Sequence, residues 1–267
     1  MAARKELSKV ISLTTDFGLT DHYVGTMKGV ILGLAPGASL VDISHEVQPF
    51  EILDGAFTIA EAYRYFPKGT VHLVVVDPGV GTSRRPILVE AAEQFFVGPD
   101  NGVFSLIYDR EPHTVRSITN SDLFLPGISA TFHGRDVFAP CAAQVANGAP
   151  AARFGDVIAD YTQLALTKPQ QTARRVWSGA VLKVDRFGNL ITNLHVDRLP
   201  EIRTRPFEIS IGLRQVIGLA ETFGVCAPGE LANIIGSSGY IEVIVNQGSA
   251  ARMLSCAAGS PVDITFL

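Results

Sequence analysis

The chain has 267 residues, 47% hydrophobic and 18% charged, which is enough to bury a sizeable core in one large or two modest domains. Its 22 Lys and Arg against 26 Asp and Glu leave a formal charge of −4, and the longest basic cluster is the pair Arg174-Arg175. This balance argues against a nucleic-acid or polybasic membrane partner.

Met1 to Lys9 is polar and mixed in charge, without an apolar leader segment, and no later apolar run has the length of a membrane span, so a cytoplasmic location is expected. Short β-branched runs at Val10 to Thr14, Ser39 to Ile43, Thr70 to Val76 and Pro86 to Ala91 predict strands. The third is nearly all apolar, which predicts a central strand covered on both faces. Between them fit helices: one capped by Thr20 or Asp21 and running to Leu34 before Pro36, a second from Glu51 to Phe66 before Pro67, and a third from Arg135 to Ala146 before Gly148. The alternation predicts an α/β domain over residues 1–165.

Residues 166–175 turn polar, with Lys168-Pro169-Gln170-Gln171, and read as a linker. Beyond it, Trp177 to Val184, Leu190 to Asn193, Phe207 to Ile211, Tyr240 to Val245 and Val262 to Phe266 are strand-like, separated by Gly, Pro and Asn turns without a long helix. A smaller, mostly β second domain over residues 176–267 is expected.

Thr14-Thr15-Asp16-Phe17-Gly18 closes the first strand, where α/β sheets place ligands, so Asp16 can take both hydroxyls of a ribose or simply close a turn. Asp77-Pro78-Gly79-Val80-Gly81-Thr82-Ser83-Arg84-Arg85 follows the most apolar strand. It offers a carboxylate, two glycines that permit close backbone approach, and two arginines; the competing reading is a hairpin turn with a surface Asp–Arg pair. A strand follows those glycines, so this is no phosphate-binding loop. Phe132-His133-Gly134-Arg135-Asp136 sets an imidazole at a helix start, where the helix end favours its neutral form, beside a glycine that leaves room for something small. The histidines at 22, 45, 72, 113 and 195 lack metal-ligand spacing, and Cys141, Cys226 and Cys256 form no CxxC, so neither a metal site nor a disulfide framework is expected.

Taken in order, these segments resemble one family, the S-adenosylmethionine hydroxide adenosyltransferases, relatives of fluorinase and chlorinase. The matching pieces include Gly98-Pro99-Asp100-Asn101-Gly102, Asp185-Arg186-Phe187-Gly188-Asn189 and Ser237-Ser238-Gly239-Tyr240 beside those above. The resemblance implies an α/β N-terminal domain, a barrel-like β C-terminal domain, and a homotrimer with active sites at subunit interfaces. It implies hydrolysis of S-adenosyl-L-methionine at the ribose C5′ to adenosine and L-methionine, with the small molecule as substrate and no cofactor. Asp77, Arg84 and His133 match the residues that hold the attacking water, with Arg85 as the neighbour that could replace Arg84. Asp16, with Asp21 beside it, matches the ribose contact, Asp185 and Ser237 the methionine contacts, and Asn189 with the backbone near Gln247 the adenine contacts. Phe50, Phe132, Phe187 and Phe223 match apolar walls. The halogenases carry Tyr in place of Asp77, and fluorinase carries Ser in place of Gly134. A halide-using enzyme and a non-catalytic sensor of the same ligand are the competing functional readings.

Overall fold

The computed structural model describes residues 9–165 and 168–267; the polar N-terminal stretch before Lys9, and positions 166 and 167 of the expected linker, lie outside the described residues. The chain divides into two compact units, Met1–Leu164 and Ala165–Leu267.

In the first unit a six-stranded sheet runs β2-β1-β3-β5-β4-β6. Its strands are β1 (Val10–Thr15), β2 (Ser39–Ser44), β3 (Val71–Val75), β4 (Pro86–Ala91), β5 (Gln94–Pro99) and β6 (His113–Ser117). Strands β2, β1, β3 and β5 are parallel, while β4 is antiparallel to β5 and β6. As expected from its apolar run, β3 is buried throughout and lies between β1 and β5. Helices α1 (Tyr23–Leu34) and α4 (Ala139–Ala146) cover one face, where Met27, Ile31 and Ala142 join Ile11, Leu13, Leu73 and Val97 in one core. On the other face, Gly55 of α2 (Ile52–Ala62) lies against Val76, and Phe104, at the start of α3 (Ser105–Arg110), packs on Phe96.

Three local expectations change. Helix α1 starts at Tyr23 with His22 at its cap and no side-chain capping bond, so neither Thr20 nor Asp21 caps it. The helix expected from Arg135 opens instead as a π-helical turn, Gly134–Phe138, before α4 begins. The second helix ends at Ala62 in a 3₁₀ turn, and Phe66 before Pro67 is extended, as the proline ring requires. Strands β5 and β6 went unpredicted. The β4–β5 hairpin turns through Ala92 (φ 52°) and Glu93 (φ 56°), a type I′ geometry built from residues that carry no turn signal.

The second unit is an antiparallel, nearly closed barrel. Its strands run β11-β10-β14-β8-β9-β13-β12, with β7 (Gln170–Ala173) on β8, so part of the expected linker is a strand. Here β8 is Val176–Val184, β9 Leu190–His195, β10 Phe207–Ile211, β11 Arg214–Ile217, β12 Leu231–Ile235, β13 Tyr240–Val245 and β14 Pro261–Phe266. Long β8 changes partners midway, pairing with β14 through Ala180 and with β9 from Val181. A short helix, α5 (Ala250–Leu254), follows β13.

The seam between the end strands is laced by one side chain. Buried Asn233 of β12 donates from Nδ2 to the carbonyls of Val216 and Gly218, both at 2.9 Å, and its main-chain carbonyl accepts from Ala220 N at 2.8 Å. Asn233→Ala strands two acceptors and is expected to cost about 2 kcal/mol, lowering the melting temperature by about 5 °C. Thermal unfolding followed by circular dichroism reads this directly; an unchanged midpoint means the seam is held by something else.

Candidate active site

The carboxyl ends of the parallel strands carry the chemistry of the first unit. Thr15 and Val75 are register partners at the ends of β1 and β3, so Asp16 and Asp77 emerge side by side where the connections diverge. Strands β3 and β4 are not neighbours, because β5 lies between them, so the stretch from Asp77 to Arg85 crosses the sheet edge and is no hairpin. Nor is its ion pair on the surface: the Asp77 and Arg84 side chains are 5% and 8% exposed. Arg84 grips Asp77 with two parallel bonds, Nε to Oδ1 at 2.9 Å and Nη2 to Oδ2. Nη2 also donates to His133 Nδ1 at 2.8 Å. A guanidinium has no acceptor, so Nδ1 is the unprotonated nitrogen of a neutral imidazole whose proton sits on Nε2. Burial, then the Arg84 charge, holds His133 below the ordinary histidine pKa, against the pull of Asp77 and Asp136. His133 stands at the N-terminal end of the π turn that runs into α4, the helix-start position expected of it.

Arg84 Nη1 is buried and has no hydrogen-bond partner among the described residues, and the Phe138 ring lies 5.1 Å from the guanidinium carbon. Arg85 is committed elsewhere. Its Nε and Nη2 bind Asp100 at 2.9 and 2.7 Å, and Nη1 binds Asp160 at 2.9 Å. Asp100 also accepts from Thr162 N, and Asn101 Nδ2 donates to the carbonyl of Val76, so the Gly98 to Gly102 segment anchors the stretch on which Asp77 stands. Gly81 has φ +79°, and a Cβ there would lie 2.5 Å from the Ala130 carbonyl. Its close approach is to its own chain.

Asp16 accepts from Phe50 N at 2.9 Å, and burial raises its pKa while that bond opposes the rise and the charge of Asp77 adds to it. Phe50 is 72% exposed and holds a left-handed φ of 69°. Phe132 is buried among Phe17 and Tyr23, with the Arg135 guanidinium carbon 5.2 Å from its ring. Asp21 is exposed. Gly134 does not leave open room: a Cβ would sit 3.1 Å from Met27 Sδ and 3.2 Å from the Phe132 ring, so the glycine serves close packing of α1.

In the second unit, Asp185 Oδ1 accepts from the backbone of Phe187 and Asn189, both at 2.9 Å, and Oδ2 from Asn189 Nδ2 at 2.8 Å. The loop so tied presents Asn189 and Phe187 to a cavity of about 480 Å³. Phe223, Val245, Gln247, Gly248 and Arg252 complete its lining. Four expected residues, Phe187, Asn189, Phe223 and Gln247, therefore meet in one hollow. Ser237 is exposed in the turn before β13, beside Gly236, which packs against the Glu242 carboxylate. Burial and the charge of Asp185 raise the Glu242 pKa. Sequence reasoning missed Glu242, a lone acid in an apolar strand, and Arg252; Ser249, which accepts from Arg252 N as the cap of α5, was the signal for that helix.

The other histidines are engaged in structural contacts: His22 with Tyr23, His45 with Thr15, His72 with Ser12 and Gln94, His113 with Tyr161, and His195 with Ser238. Among the described residues no group of three His, Cys, Asp or Glu is placed to hold a metal ion, and no helix is long and apolar enough to cross a membrane.

Two family models match the chain in sequence order: the SAM hydroxide adenosyltransferase N-terminal domain over residues 11–155 and the C-terminal domain over residues 179–263. The chain belongs to this family. It is 38% identical to the (R)-S-adenosyl-L-methionine hydrolase of Salinispora tropica, over 96% of this chain and 97% of that one. The hydrolase of the same name from Thermus thermophilus is 40% identical over 94% and 97%. A fluorinase of an Actinoplanes species is more distant, at 26% over 96% and 97%. A solved structure of a conserved protein from Thermotoga maritima superposes with a TM-score of 0.89 at 38% identity, covering 96% of this chain and 99% of that one.

For this adenosyltransferase-family chain, the Arg84 contact predicts how His133 titrates. Its midpoint, followed by nuclear magnetic resonance, is expected below the ordinary value of about 6.5. Arg84→Met removes a charge that lowers it and frees Asp77 to raise it, so the midpoint moves upward. A midpoint unmoved by that substitution contradicts the contact.

Proposed function

We propose that the chain hydrolyses S-adenosyl-L-methionine, with water attacking the ribose C5′ to give adenosine and L-methionine. The observation that carries this reading is the buried Asp77–Arg84–His133 set with its unpartnered Nη1 donor, in a family whose 38–40% identical members are named for this hydrolysis. The sulfonium leaves as a neutral thioether, so no acid is needed at sulfur. A bond forms from the water oxygen to C5′ while the C5′–S pair departs to sulfur, and the oxygen, now bearing three bonds, becomes strongly acidic. A carboxylate suffices to take its proton. His133 has its Nδ1 lone pair occupied by Arg84 and offers Nε2–H as a donor, so Asp77 is the acceptor. Arg84 Nη1 orients the water in a site shielded from solvent, and the Asp77 carboxylate offsets the positive charge that develops on its oxygen.

Substrate contacts follow the resemblance. Asp16 takes the ribose hydroxyls, with Asp21 beside it; Asp185 and Ser237 hold the methionine amino acid; Asn189 and Gln247 receive adenine between Phe187 and Phe223; and Phe50 and Phe132 are walls. The halogenases carry Tyr where this chain has Asp77, and the fluorinase relative is the more distant one, which disfavours the halogenase reading. The protein acts in the cytoplasm, needs no cofactor or metal, and binds neither nucleic acid nor membrane.

In oxygen-18 water the label should enter the adenosine 5′-hydroxyl; unlabelled adenosine would show that water is not the nucleophile. Asp77→Asn keeps shape and removes the proton acceptor, so turnover should fall on the order of 10²-fold or more. Calorimetry should show near-normal substrate binding in that variant, and unchanged turnover would remove Asp77 from the mechanism.

Phe50, Phe187 and Phe223 are exposed yet match ligand walls, which supports a homotrimer whose sites each combine the first unit of one subunit with the second unit of the next. Asp77→Asn and Asn189→Ala subunits, refolded together, should then regain activity that neither has alone, because some mixed sites carry two intact halves. No recovery, or a fully active monomer in sedimentation, contradicts shared sites.

A further inference from the structure

His133 and Phe138 are five residues apart and both touch Arg84, one through Nδ1 at 2.8 Å and the other with its ring 5.1 Å from the guanidinium carbon. In an α-helix, residues five apart lie about 140° apart around the axis and cannot face one group. The turn Gly134–Phe138 is π-helical, with Ala139 N bonded to the carbonyl of Gly134. An i→i+5 turn is wider, and brings such residues onto one face. Phe138 is fully buried, so no water competes for the cation at its ring. Arg84 is thus held through hydrogen bonds by Asp77 and His133, with its guanidinium carbon over the Phe138 ring, while Nη1 stays unpartnered among the described residues.

We infer that Phe138 is a positioning residue for the reaction: its ring face fixes the Arg84 guanidinium so that Nη1 points at the attacking water, and the π turn exists to present it together with His133. This rests on the hydrolase reading for its catalytic consequence alone. The ring acts through its negative face, which attracts a buried cation more strongly than an exposed one.

The test replaces Phe138 with its mono-, di- and trifluoro analogues, which draw charge from the ring face with little change in volume, alongside Phe138→Leu. The turnover number is expected to fall stepwise, by about tenfold at the trifluoro ring, with KM held within about twofold. The His133 titration midpoint should rise along the same series as the guanidinium loosens. A turnover number and midpoint both flat across the fluorinated series would overturn the inference and leave Phe138 a core filler, even if Phe138→Leu is inactive. If the unsubstituted protein releases no adenosine, the hydrolase reading fails, and the His133 midpoint still decides the role of Phe138.

Discussion

A guanidinium taken out of water loses several kcal/mol of hydration and remains charged, so the surrounding fold has to answer it. In the first unit that obligation falls on Arg84, and much of the sheet edge is organised around it. Asp77 supplies the opposite charge in a two-point contact, and the connection from β3 to β4 that carries both residues passes close against the Ala130 carbonyl at Gly81. Asn101 fastens the chain just before Asp77, and the bonds of Arg85 to Asp100 and Asp160 fasten it just after Arg84. With both flanks fixed, the pair has little freedom to reorganise, which is what a preorganised electrostatic site requires.

Neutrality is the second consequence. Asp77 and Arg84 cancel, and His133 is held uncharged by burial and by the arginine itself. On the proposed reading, a cationic sulfonium can approach this set without meeting net positive charge. A protonated imidazole in the same place would set a second cation next to Arg84. The second unit divides the labour differently, offering aromatic faces and amides around a hollow suited to a flat heterocycle.

Strands with β-branched or apolar runs between clear punctuation were legible in the sequence: β4 and β13 fall at the expected residues, and β3 is central as its composition implied. The hairpin to β5 was not, because Ala92 and Glu93 take left-handed backbones without the Gly or Asn that announces such a turn. Individual site residues had ordinary explanations available, and their order along the chain, more than any local pattern, pointed to the family. Burial was the invisible quantity: the Asp77 to Arg85 segment looks like a surface turn until the sheet order separates β3 from β4. Phe138 and Glu242 gave no signal, since their importance lies in what a π turn and a neighbouring loop bring against them.

The laced seam of the barrel carries a consequence for motion. A ladder of backbone bonds frays one rung at a time, whereas an edge held largely through one residue, by its side-chain amide and its main-chain carbonyl, loosens as a unit once that residue lets go. Amide protons of β11, paired with β10 at one end of the strand order, should exchange with solvent faster than those of β8 or β9 inside the sheet. The loosening is not confined to the edge. Strand β12 is paired along its length with β13, and β13 runs directly into Gln247 and Gly248 at the cavity wall, so the breathing of this one edge sets how firmly that wall is held.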